Sequence, residues 1–155
     1  MALARDLLET ATKLAAANER RPKQADLRRA TSTAYYAVYH ALAQECADRF
    51  MGTGEQRSDA AWNQVYRALE HRFAAQQARK AGQFGFPAGL CDFGDAFASL
   101  QEERHRADYD PSASYTKADV EQLLGSTQKA LKDLENSPKA DRAAFAALVL
   151  FKHRA

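Results

Sequence analysis

Only two cysteines, Cys46 and Cys91, occur in the 155 residues, and neither sits in a Cys-x-x-Cys pair or beside clustered histidines. This excludes a disulfide scaffold and a cysteine-built zinc site, and predicts two free thiols on helices. Proline is scarce too: of the four, Pro22, Pro111 and Pro138 stand where a helix is expected to begin or end, and Pro87 in an expected loop. No run approaches the roughly 20 apolar residues of a membrane helix. The opening Met-Ala-Leu-Ala-Arg-Asp carries charge where a secretory signal would carry an apolar core. A cytoplasmic protein that engages no membrane is the expectation. Charge of one sign is missing too: 22 basic against 20 acidic residues leave a net +2, too little for binding nucleic acid by bulk electrostatics, so any basic site must be local. Finally, there is no glycine-rich phosphate loop, no acidic cluster spaced for a metal, and no serine or cysteine nucleophile with a base nearby. Neither metal nor cofactor is expected.

What is present is helical periodicity. Leu3, Leu7, Leu8, Ala11, Leu14 and Ala15 form one apolar stripe. After Pro22 a long helix is predicted from about Lys23 to about Phe50, with Leu27, Ala30, Ala34, Val38, Ala41, Leu42 and Phe50 inward. Gly52 and Gly54 break it. Ser58 is the expected N-cap of a third helix carrying Trp62, Val65, Tyr66, Leu69 and Phe73 and fading near Lys80. Residues 81–89 read as a loop whose Phe84 and Phe86 are expected to tuck against the bundle or a partner. A fourth helix runs through Phe93, Phe97 and Leu100 to Arg104. Thr116 and Asp119 spell a capping box for a fifth, and Ser137-Pro138 signals a short last helix as N-cap and first turn. The predicted fold is all-α: one domain over residues 1–155, an up-and-down four-helix bundle with one or two additional short helices.

Two segments carry the functional signal. In the first, Ser32-Thr33-Ala34-Tyr35-Tyr36-Ala37-Val38-Tyr39-His40, an advance of about 100° per residue puts Tyr35 and Tyr39 on one face and Ser32, Tyr36 and His40 on a polar strip beside it. These groups satisfy one another inside the bundle, meet at a dimer seam, or line a polar cleft. In the second, the core stripe Phe93, Phe97, Leu100 continues at the same spacing into Arg104 and Asp108, which points an ion pair inward or into a groove. Arg104, His105 and Arg106 form the densest cation cluster near a titrating group and suit a phosphate. A structural pair, a ligand contact and a catalytic role all stay open for Arg104 and Asp108. His71, beside Arg67, Glu70 and Arg72, reads as part of a solvated charged face. His153 reads as a cation at a helix C-terminus. Arg20-Arg21, Arg28-Arg29 and Arg79-Lys80 are scattered basic pairs.

In these two segments, and in their order, the chain resembles the HEPN superfamily (higher eukaryotes and prokaryotes nucleotide-binding), in particular its small standalone prokaryotic members. The resemblance rests on Arg-Arg-Ala-Thr-Ser-Thr-Ala-Tyr-Tyr-Ala-Val-Tyr-His-Ala-Leu, then Leu100 to Asp110 as Leu-x-x-x-Arg-x-x-Ala-Asp-Tyr-Asp, then the helix opened by Thr116. It implies a four-helix bundle, a homodimer whose two motif helices share one cleft, and often a minimal nucleotidyltransferase as antitoxin partner of a toxin-antitoxin pair. Active members resemble metal-independent endoribonucleases, in which an arginine stabilises phosphorane charge and a histidine a few residues later moves the ribose 2′-hydroxyl proton. Arg104 matches that arginine and Tyr109 a trailing tyrosine, while Asp108, Tyr109 or Asp110 occupies the histidine's place. The resemblance therefore implies Arg104, Asp108 and His105 as catalytic candidates, with Arg106, Tyr109, Tyr36 and His40 as binding candidates for RNA or a nucleotide. Three functions stay open: a dimeric RNA- or nucleotide-associated module, an endoribonuclease using Asp108, His105 or His40, and an interaction module without ligand.

Overall fold

The computed structural model describes residues 1–18 and 20–154. It holds seven α-helices and one short 3-10 segment, with no strand among the described residues. The four long helices are α1 (Ala2–Ala16), α2 (Gln24–Met51), α5 (Ala88–Tyr109) and α6 (Lys117–Asn136), and the three shorter ones are α3 (Asp59–Arg67), α4 (His71–Ala78) and α7 (Lys139–Leu150). The long helices pack in a ring, α1 on α2, α2 on α5, α5 on α6 and α6 back on α1, while α3, α4 and α7 close the flank of α2 and α5.

α2 is the axis of the molecule. Its buried residues, among them Leu27, Ala30, Ala34, Tyr35, Val38, Ala41, Leu42 and Cys46, lie on several sides of the helix because it meets α1, α3, α5, α6 and α7. A helix covered all round needs apolar or small residues on more than one face, and alanines supply them without pushing the neighbours away. It stops at Gly52, whose φ of 79° lies in the left-handed region that glycine enters without strain. α6 opens with the expected capping box, Thr116 and Asp119 each satisfying the other's backbone N–H. Ser58 caps α3 as expected, accepting from Ala61 N–H.

Several expectations are corrected. The stretch predicted as one third helix is two: Leu69 is buried and its carbonyl accepts from Tyr39 Oη–H at 2.9 Å, while Glu70 is extended. The carbonyl a continuous helix needs there is thus taken by a tertiary bond, and three short helices stand where one or two were expected. Pro138, not Ser137, is the N-cap residue of α7, and Ser137 Oγ–H donates back to Asp133 O. Leu3 is largely exposed, and so is Phe84, which stacks on His153 at 6.3 Å; only Phe86 tucks in, against Phe145. Phe50, expected on the inner face of α2, is exposed near its end and meets the exposed Phe151 edge-on. His153 lies beyond the end of α7 rather than on it. No helix is long and apolar enough to cross a membrane.

One close approach sets the position of α4. A Cβ on Gly94 of α5 would stand 2.3 Å from Ala78 O at the end of α4. Glycine there lets the two backbones meet, and the other end of α4 then begins at His71 beside α2.

Candidate functional site

The inward stripe of α5 ends in a charge. Phe93, Phe97, Leu100, Arg104 and Ala107 share its buried side, and Arg104 is only 8% exposed. Its Cζ lies 5.3 Å from the Tyr35 ring centre and 5.9 Å from that of Tyr36, both on α2. This geometry is favourable for a cation over an aromatic face. Asp108, one turn on, holds its Oδ2 at 3.8 Å from Arg104 Nη1, too long for a hydrogen bond. Asp108 Oδ2 instead accepts from Ser32 Oγ–H at 3.2 Å, tying the end of α5 to α2. Arg104 Nε is buried with no partner at all, an omission that costs about 1–3 kcal/mol for a polar group. The expected inward pair is therefore present, but loose, and its cation has donor capacity to spare.

Two imidazoles pack on the Tyr36 ring that lies beneath this arginine. His71, the first residue of α4, stacks on Tyr39 with ring centres 4.3 Å apart, meets Tyr36 edge-on at 6.1 Å, and shares a 2.5 Å hydrogen bond between Nδ1 and Tyr35 Oη. His40 of α2 shares the same kind of bond between Nδ1 and Tyr66 Oη of α3, again 2.5 Å, and lies 6.2 Å from the Tyr36 ring. Behind it Tyr66 stacks on Trp62, and Arg57 covers the Trp62 ring at 4.6 Å. Each histidine is thus gripped at Nδ1 by a phenol, which leaves Nε2 for other contacts. His71 is no member of a solvated charged face, as its charged neighbours in sequence suggest; the turn at Leu69–Glu70 drives it under α2.

The electrostatics follow from burial beside a fixed cation. Burial lowers the pKa of both imidazoles, and for His71 the Arg104 charge and then His40 lower it further. Tyr35 is pushed far above the ordinary phenol range by burial, which outweighs the opposing pull of Arg104. Burial also raises Tyr39 and Tyr66. The Arg104 cation therefore sits among phenols that stay protonated at neutral pH and two imidazoles whose charged form is disfavoured.

No family model matches the chain, and no curated protein or solved structure matches it significantly. The arrangement must be read on its own chemistry.

Of the residues singled out in the sequence, Arg104, Asp108, Tyr36 and His40 come together. His105, Arg106 and Tyr109 do not join them. His105 is exposed and packs on the exposed Tyr109 at 4.9 Å. Arg106 turns to the far side of α5, 3.7 Å from Glu103 and 5.5 Å from the Tyr115 ring. There it lines a groove of about 560 Å³ between α5 and α6 with Leu100, Leu123 and Asp119. Tyr115 in that groove is pushed up to about 12 by burial and its bond to Glu103. The residues the sequence reading missed are His71, Tyr35 as its hydrogen-bond partner, and Tyr66 as the partner of His40. Among the described residues no group of three or more His, Cys, Asp or Glu is placed to hold a metal.

Proposed function

We propose that the Arg104 site binds the phosphate of an RNA strand or a nucleotide, and that the chain is a HEPN-type module. The observation that carries this is the arginine itself: nine-tenths buried, held over two tyrosine rings, with its Nε unpartnered and its carboxylate too far away to saturate it. An arginine kept in that state suits an anion that brings several acceptor oxygens. Tyr36, His40 and His71, each half-exposed, and the exposed Asp108 form the rim past which such a ligand enters. The two sequence motifs extend the proposal to a homodimer in which two copies of this rim face each other, and to a cytoplasmic toxin-antitoxin-like pairing with a minimal nucleotidyltransferase.

Fluorescence anisotropy with a labelled single-stranded RNA and a labelled adenine nucleotide tests the binding, and light scattering the dimer. The wild-type chain is expected to bind at least one of the two ligands. Arg104→Ala is expected to weaken that binding by about tenfold to a hundredfold, the loss of a charge-assisted contact. A folded wild-type dimer that binds neither ligand, or an Arg104→Ala protein that binds as well as wild type, overturns the reading. A second reading, strand cleavage without a metal, is favoured by one specific feature, the two phenol-anchored imidazoles beside the arginine.

A further inference from the structure

We infer that His71 and His40 are the proton-transfer pair of this site, acting on a phosphodiester with a neighbouring ribose hydroxyl, and that α4 and α2 thereby supply what no α5 side chain does. The inference rests on the cleavage reading above.

Geometry sets the pair apart from every other titratable group near Arg104. Asp108 is committed to Ser32 Oγ. His105 stands exposed against Tyr109, away from the α2 rings. His71 and His40 are the imidazoles that touch Tyr36, the half-exposed ring that also lies beneath the Arg104 guanidinium; the phenols of Tyr35 and Tyr39, which pack on the same ring, are held protonated by burial. Both are immobilised in the same way, by a phenol on Nδ1 and by ring packing, on Tyr39 for His71 and on Tyr66 for His40. Such anchoring fixes ring orientation, which an imidazole needs in order to move a proton productively. In the tautomer where His71 Nδ1–H donates to Tyr35 Oη, the Nε2 lone pair is free to act as a base.

The environment divides the labour. His71 is faced by Tyr35, Tyr36 and Tyr39 of α2, by His40, and by the Arg104 charge from α5; on its own helix Arg72 follows it. His40 is faced by Tyr36 and Tyr39 of its own helix and by Tyr66 of α3, and Arg104 is not among the influences that lower it. The Arg104 charge, which acts on His71, disfavours its protonated form and suits it to receive a proton. His71 acts as base and His40, in its protonated form, as acid.

The step balances as follows in atoms. The ribose 2′ oxygen bonds to phosphorus while its proton passes to His71 Nε2. The bond from phosphorus to O5′ breaks with its electron pair on O5′, which takes the proton from His40 Nε2. Arg104 offsets the added negative charge on the pentavalent phosphorus. A 2′,3′-cyclic phosphate and a 5′-hydroxyl result, and exchange with water restores the two imidazoles.

The test uses the full-length protein in EDTA with two strands of one sequence, one all-ribose and fluorogenic, one 2′-O-methylated and unable to react. Wild type is expected to bind both and to cleave the first, leaving a cyclic phosphate, with a bell-shaped dependence of rate on pH. His71→Gln and His40→Gln are each expected to lower the rate by about 100-fold to 10,000-fold, the usual share of a general acid or base. Binding of the methylated strand should fall far less than the rate in both variants, since proton transfer adds little to ground-state binding. His40→Gln should also lose the alkaline limb of the bell. His153→Gln, which changes an imidazole packed on Phe84 and not on Tyr36, should cleave like wild type. Binding of the methylated strand with no cleavage of the ribose strand overturns the inference and leaves the binding proposal standing; absence of binding by folded wild type overturns both. Cleavage that survives both glutamine variants, with circular dichroism confirming their fold, removes these histidines from the role.

Discussion

Two arginines at the α2–α5 junction make opposite use of the same side chain. Arg28 of α2 donates to four backbone carbonyls at the end of α5 and just beyond it: Ala107 and Pro111 at 3.2 Å, Asp110 at 2.7 Å and Ala113 at 2.6 Å. These include carbonyls that the end of a helix leaves without partners. Arg104, which enters the same junction from α5, has a loose carboxylate at 3.8 Å, two rings and an empty Nε. The contrast separates an arginine fixed by hydrogen bonds from one held without them. Arg28 is fixed by four acceptors, whereas Arg104 is buried against two rings and a loose carboxylate, which leaves it donors for a further acceptor.

If this division is right, the largest loss of stability comes from the saturated partner. Arg28→Ala is expected to destabilise the fold by about 2–3 kcal/mol, the range for hydrogen bonds to a charged donor whose acceptors are left behind. Denaturant unfolding measures it, and a change under about half a kcal/mol would deny Arg28 its structural role. Gly94→Ala comes next, at about 1–3 kcal/mol, because the new methyl meets the Ala78 carbonyl at 2.3 Å and backbone must move. That shift is transmitted along α4 to His71, so it should lower cleavage or binding beyond what the lost stability explains. A Gly94→Ala protein as stable and as active as wild type would show that the α4–α5 contact does not position His71.

The same contrast explains how far the sequence could be read. Arg104 was legible because a helical stripe of Phe93, Phe97 and Leu100 runs straight into it, and local periodicity is enough to aim a side chain inward. The long helices, the Ser58 cap and the Thr116 capping box were legible for the same reason: each signal is complete within a few residues. His71 was not. Its sequence neighbours Arg67, Glu70 and Arg72 are charged, and what buries it is a bond from Tyr39, thirty residues earlier, to the Leu69 carbonyl. Arg28 read as one of several scattered basic pairs for a like reason, since its four acceptors lie about eighty residues away. Periodicity reports the face of a helix, and it is silent on which distant carbonyl or ring that face will meet.

The smallest and sharpest effect concerns the charge that Arg104 places beside His71. The pKa of His71 is lowered in the folded chain by burial first and by Arg104 second. In Arg104→Met the second cause is removed, so the imidazole should titrate at higher pH than in wild type while staying lowered by burial and His40. Arg28→Lys, which keeps its charge, should leave the His71 titration where it is. A group lowered on folding contributes stability that is present above its unfolded value, about 6.5 for histidine, and that is lost as pH falls through the lowered folded value, because the unfolded chain binds the proton first. The wild-type melting temperature should therefore fall on acidification below about pH 6.5. The fall should be shallower in Arg104→Met. NMR titration of the His71 ring, followed beside thermal melts across that window, reads both effects. An unchanged His71 titration in Arg104→Met would mean that the guanidinium does not act on the imidazole, and Arg104 would then differ from Arg28 only in being poorly bonded.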